Sequence, residues 1–372
     1  MRLYRMELYK LCHRKVFIIG SGCVIAILIV LFLTKLWEEE AYVNGVTYYG
    51  YQAVQINRKI TEEFKGTISD EKAEEIIEKY GFPHEAKEYH GYYMDANFLT
   101  RWVTEYLSDG YFYGWDNYQI PTYLKAIEET ELQEIMEVTG EEIILEYSDG
   151  WIVYGELLTL GHILGSILIL FGISIVFANE GQTKMLPLLF TTKEGKGKDI
   201  FAKIAAAFTV AIGVWIGITV LAFLLCSIVY GLDGLKCLTG ISKMVRFINL
   251  YYSPVSVIPV SSFLMVVVFR SFLGIMLLCS MTVYISACYR SSFHAVISAS
   301  ICWMLPILLL ILFGNILRLP IIWLLVYASP IYSVLYDSLV DVYQIWIILA
   351  WISAAWMMIG IISSYRRYRK IL

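Results

Sequence analysis

Long apolar rows alternate with short polar connections along most of this chain, and one long polar stretch interrupts them near the start. The first apolar row covers residues 16–37, and others lie at about 157–178, 201–230, 263–289, 295–315 and 342–363. As helices rising about 1.5 Å per residue, rows of this length reach the roughly 30 Å of a hydrocarbon core. The first row has 22 residues, longer than the apolar core of a cleaved leader, and no small-x-small pair follows it. It is therefore expected to be a retained span. A further apolar stretch at 316–335 is broken by Arg318, Pro320 and Pro330. It reads as short helices dipping into the outer leaflet, because irregular backbone at that depth must be covered by protein. The pattern predicts an all-α membrane protein with about six transmembrane helices.

Charge assigns the sides. Residues 38–150 carry a net charge of −17, while the rest of the chain carries +13. Lys and Arg in the short connections collect on one side: five in residues 1–15, five in 184–203, Arg290, and four in the tail at Arg366, Arg367, Arg369 and Lys370. The positive-inside rule then places both termini in the cytoplasm and the acidic stretch outside, in a multi-pass protein of the plasma membrane. Three regions follow. Residues 1–37 form an interfacial helix and the first span, residues 38–152 an extracytoplasmic acidic domain, and residues 153–372 a core of five spans. Within residues 1–14, Met1, Tyr4, Leu8, Leu11 and Cys12 share one helical arc, with Arg2, Lys10, His13 and Arg14 opposite. Such a helix is expected to lie against membrane lipid.

The acidic domain reads as mainly helical. Ser69 is a natural cap for a helix with Asp70 and Glu71 in its first turn, ended by Gly81 and Pro83. Further helices are expected from Asp95 to Leu107 and from Pro121 to Gly140, with a hairpin joining 143–147 to 151–154. None of the seven cysteines falls in this domain, which excludes a disulfide scaffold. His84 and His90 stand among Glu85, Glu88 and Asp95 without a recognised metal-ligand spacing, so a solvated acidic face is expected and no metal. Half of the 28 tyrosines lie between Tyr42 and Tyr147, where core filling and an aromatic belt account for them. A field of this sign favours cationic ligands.

Catalytic chemistry is sparse. The run from Lys193 to Lys198 lacks the glycine and hydroxyl positions of a phosphate-binding loop, since Phe190 and Gly197 stand there. His162 and Ser166 share a helical face near Glu156, but no acidic residue at membrane depth completes a hydrolytic set. Gly161-x-x-x-Gly165 and Gly213-x-x-x-Gly217 instead read as close helix packing. Arg270, deep in the fourth apolar row, is expected to be an intramembrane charge with Glu156 as its partner.

The most informative segment runs from Phe177 to Lys203. An apolar row is followed by Glu180, then Lys184-Met185, leucines with Leu188, Thr192, a Gly195-Lys196 pair, and Ala202-Lys203. It resembles the loop between the second and third spans of ABC type-2 permeases, the membrane subunits of ATP-driven exporters. Lys184 replaces the usual glycine and Lys196 the usual arginine. The resemblance implies that the loop at 179–200 couples to a separate ATPase, with Glu180, Lys184, Met185, Thr192, Gly195, Lys196 and Lys203 as coupling residues. It implies a transporter subunit rather than an enzyme. ATP and magnesium would be held by partner ABC ATPase subunits, with no cofactor in this chain. A second permease copy or a paralogue would complete the path, and no nucleic acid is involved. The expected substrate is amphiphilic: an antimicrobial peptide, a drug or a lipid-linked compound, as in multidrug or antimicrobial peptide resistance. The rival reading is a membrane-anchored receptor whose outer domain senses such molecules.

Overall fold

In the computed structural model, residues 2–85, 94–112, 118–183, 185, 191, 197–242, 255–313 and 320–370 are described. The protein is mostly helical, at 76% helix with few strands. Six helices are long and apolar enough to cross a membrane: Lys15–Trp37, Asp149–Gln182, Lys198–Tyr230, Val260–Cys288, Ser292–Leu312 and Tyr343–Arg369. The chain is thus consistent with a multi-pass membrane protein. It divides into two compact units, one of residues 1–29, 155–222 and 265–372, the other of residues 30–154 and 223–264.

The membrane-helix unit opens with α1 (Arg2–Cys12) and the start of α2 (Lys15–Trp37). The apolar arc read from the sequence is met by protein: Tyr4, Leu8, Leu11 and Cys12 pack on the unit's core, and the Tyr4 hydroxyl lies 2.9 Å from Thr209 Oγ1. The second row forms α7 (Asp149–Ile173) and, after a break at Ser174, α8 (Ile175–Gln182). Then come α9 (Lys198–Tyr230), α10 (Val260–Cys288) and α11 (Ser292–Phe313). The proline-broken stretch gives only short helices, α12 (Pro320–Tyr327), α13 (Pro330–Val334) and α14 (Ser338–Val342), none long enough to span, before α15 (Trp346–Lys370). Here α7 and α9 meet closely. A Cβ at Gly161 would come 2.5 Å from Ile218 Cγ2, and one at Gly165 would come 2.6 Å from Ile218 Cδ1. Among the described residues the second pair, Gly213 and Gly217, meets nothing within 4 Å and does not share in this contact. The expected mutual glycine packing is therefore one-sided.

In the second unit, β1 (Glu40–Val43) and β2 (Val46–Tyr49) form an antiparallel hairpin. Asn44 and Gly45 turn it with positive φ at both positions, the geometry that two-residue hairpin loops require. The helices α3 (Gly50–Glu63), α4 (Asp70–Tyr80) and α5 (Phe98–Leu107) follow, with α6 (Glu131–Thr139) later. The local caps are as read: the Ser69 hydroxyl accepts from the Lys72 N–H, and Gly81 ends α4 with φ of 76°. Asn97 and Thr100 close a reciprocal capping box on α5, which starts three residues later than expected. Two expectations are corrected. Residues 121–126 are not helical; a short 3₁₀ turn at Ile127–Glu129 precedes α6. The 143–147 strand does not pair forward either. Ile144–Leu145 pairs antiparallel with Gly66–Thr67, and residues 151–154 are the first turns of α7, where Asp149 suits the positive end of the helix. The core here is mainly aliphatic, with Val54, Ile76, Leu99, Leu107 and Leu132 buried, and Tyr147 is buried as well. Tyr49, Tyr51 and Tyr123 are exposed, so these three do not fill this core.

Glu39 sits in this unit beside Asp149, Arg101 and Glu38, and accepts a hydrogen bond from the Tyr230 hydroxyl at 3.1 Å. Burial, and then the like charge of Asp149, push its carboxyl up to about 7, against the pull of Arg101 and Tyr230. The folded protein thus holds a proton that the unfolded chain has released. This contribution is present below the ordinary value of 4.5 and is lost as pH rises through about 7. Thermal unfolding of the detergent-purified chain should show falling stability across that window. Glu39→Gln should flatten the slope; an unchanged slope would remove Glu39 as its source.

Candidate functional site

The site is built by three helices of the membrane-helix unit. Glu180 stands near the end of α8, only two residues before the helix stops at Gln182. Asp199 lies in the first turn of α9, where a carboxylate faces the positive helix end. Lys203 follows one turn later, an i, i+4 pair with its acid on the favourable N-terminal side. Tyr368 comes from the last turns of α15.

These four side chains converge. Lys203 Nζ lies 2.7 Å from Glu180 Oε1 and also pairs with the Asp199 carboxylate. The Tyr368 hydroxyl donates to the other Glu180 oxygen, and its ring packs on Phe177 with centroids 4.3 Å apart. The lysine side chain is 1% exposed, and Asp199 and Tyr368 are buried. Removing an ammonium group from water is costly unless its donors and charge are matched. Two carboxylates supply that match. Glu180 spends one oxygen on α9 and the other on α15, so its carboxylate ties three helices at one point. The group contains no activated nucleophile. Its ion pairs and hydrogen bonds link α8, α9 and α15.

The expected coupling residues divide accordingly. Glu180 and Lys203 are brought into direct contact. Met185 is 52% exposed, and its N–H donates to the Glu180 carbonyl at 3.1 Å. Lys184, Thr192, Gly195 and Lys196 lie outside the described residues. Asp199 and Tyr368 were missed in the sequence. The i, i+4 spacing from Lys203 was a usable signal for Asp199; Tyr368, 188 positions from Glu180, had none.

The intramembrane charge behaves differently from its expectation. Arg270 is 4% exposed, and its Nη2 donates to the carbonyls of Tyr327 and Tyr332, each at 3.3 Å. Among the described residues it forms no ion pair with Glu156, which lies on α7. Tyr327 ends α12, and the negative helix end draws the guanidinium. His162 is fully buried with Nε2 3.3 Å from Thr219 Oγ1, while the Ser166 hydroxyl donates back to the His162 carbonyl. Ser166 is therefore occupied by its own helix. Among the described residues no three His, Cys, Asp or Glu groups gather as metal ligands. His90 and Glu88 lie outside them.

Comparison with known proteins gives no matching family model, no matching curated protein and no matching solved structure.

Proposed function

We propose that this chain is the membrane subunit of an ATP-driven ABC exporter. The carrying observation is the buried Glu180–Lys203–Asp199–Tyr368 group, set immediately beside the basic connection between the second and third long apolar helices. A permease without a phosphate-binding loop must take its work from a partner through a stiff element that reaches its helices. This group suits that role, because Lys203, Asp199 and Tyr368 are buried and the largely shielded Glu180 carboxylate bonds to both Lys203 and Tyr368. In this reading the termini and residues 179–200 face the cytoplasm, where a separate ATPase docks, and a second copy or paralogue shares the path. The acidic domain faces outward, and its net charge of −17 over residues 38–150 favours amphiphilic substrates with cationic groups.

The test is whether a gene beside this one encodes a phosphate-binding-loop ATPase and, on co-expression, whether that ATPase purifies through a tag on this chain. The ATPase should be retained in stoichiometric amount, and vesicles carrying both should export an amphiphilic cationic peptide only with ATP. A chain that retains no ATPase overturns the reading.

A further inference from the structure

The second long apolar helix breaks at Ser174, and the residue at the break does not do the usual work of a helix start. A new helix leaves its first four N–H groups without partners of its own, and a serine before the first turn ordinarily accepts one or two of them. Ser174 is in the right place but in a helical conformation, with φ of −56° and ψ of −17°, and makes no capping hydrogen bond. Its hydroxyl is buried and has no partner among the described residues. Two of the first four donors of α8 are met from another span. Ser286 of α10, itself fully buried, accepts the Phe177 N–H at 3.0 Å and the Ala178 N–H at 3.2 Å. These are the third and fourth residues of α8.

The far end of α8 is held by the same neighbour. Gly181 lies so close to Arg290, just past the end of α10, that a Cβ there would come 3.0 Å from the Arg290 Cα. The Gln182 side chain accepts the Ser292 N–H at 3.3 Å. At both ends, then, α8 is fastened to the corner between α10 and α11, while its link to α7 is an uncapped break.

We infer that Ser286 is a positioning residue: it caps α8 from a separate span, fixes the direction of that helix, and so sets the Glu180 carboxylate against Lys203 and Tyr368. The inference rests on the coupling reading of residues 179–200 and deepens it. Motion delivered to the loop would carry α8 and the α10–α11 corner as one body, with the flex at Ser174.

Three variants of the full chain, alone and with its ATPase, decide the matter. Ser286→Ala removes the acceptor, Ser286→Thr keeps an oxygen there, and Ser174→Ala removes the idle hydroxyl. Hydrogen–deuterium exchange of peptides spanning residues 174–183 is measured on the chain alone. Exchange there should rise at least roughly two- to tenfold in Ser286→Ala, which loses both bonds to Ser286 where one alone yields that much, with other peptides unchanged. Ser286→Thr should restore the slow exchange, and Ser174→Ala should leave it unaltered. With the ATPase present, Ser286→Ala should retain the partner but export fewer molecules per ATP hydrolysed. A merely less stable protein would lower both rates together and keep that ratio. Unchanged exchange in Ser286→Ala, or an equal effect from Ser174→Ala, overturns the cap. Faster exchange with an unchanged ratio overturns the positioning role. If the wild-type chain retains no ATPase, the exporter reading falls, and the exchange arm still judges the cap by itself.

Discussion

Replacing Lys203 by Met should cost the folded protein about 3–5 kcal/mol, the usual consequence of leaving buried charge uncompensated. The methionine fits the volume of the lysine stem but leaves the Glu180 and Asp199 carboxylates facing each other without the ammonium between them. Both are largely shielded from water, so solvent cannot stand in for the missing cation. Loss of Glu180 is a different case. Glu180→Gln leaves Lys203 paired with Asp199, and the amide oxygen can still accept from either Lys203 or Tyr368. That variant should fold nearly as well as the wild type while the three-helix tie is weakened. The order of effects is the test. In detergent, the yield and thermal midpoint of Lys203→Met should fall far below those of Glu180→Gln. In vesicles with the ATPase, Glu180→Gln should hydrolyse ATP but export poorly. Equal stability of the two variants would show that the cluster does not depend on its lysine, and full export by Glu180→Gln would remove Glu180 from coupling.

What the sequence made legible follows from how local each signal is. The six long helices are written in unbroken apolar rows, and a row needs no partner to be recognised. The Ser69 start and Gly81 stop of α4 depend on residues within one turn of each end, so they too could be read directly. The strand at Ile144–Leu145 could not be, because its partner Gly66–Thr67 precedes it by three helices, and nothing near residue 144 points there. The nearby Ser148-Asp149-Gly150 run has turn composition, yet in the fold it serves as the start of a long helix. The site shows the same division. Glu180 and Lys203 lie in one motif; Tyr368 and Ser286 come from helices far along the chain, and a lone tyrosine or serine in an apolar row carries no mark of its partner. Arg270 was legible as a buried charge, but its actual acceptors are main-chain carbonyls, which are the same in every residue and leave no trace in a sequence.

Two glycine pairs with the same spacing should respond oppositely to the same substitution. Gly161→Ala and Gly217→Ala each remove a glycine from a helix interior, and that change alone favours the helix by roughly 0.5–1 kcal/mol. At Gly217 nothing lies within 4 Å of the new methyl group, so the gain should appear undiminished as a slightly higher thermal midpoint. At Gly161 the methyl would come 2.5 Å from Ile218 Cγ2 and 3.3 Å from Leu28 Cδ2. Atoms essentially never approach to 2.5 Å without a shift, and here two spans, α2 and α9, would have to give way around α7. Overpacking of this kind costs about 1–3 kcal/mol, which exceeds the propensity gain and reverses its sign. Gly161→Ala should cost less in an Ile218→Ala background than in the wild type, because alanine lacks the Cγ2 methyl that the new group strikes. Thermal unfolding of these variants, Ile218→Ala alone and the wild type in one detergent suffices. A stabilised Gly161→Ala would mean that α7 and α9 do not meet at this glycine, and a destabilised Gly217→Ala would mean that its face is covered in the purified protein.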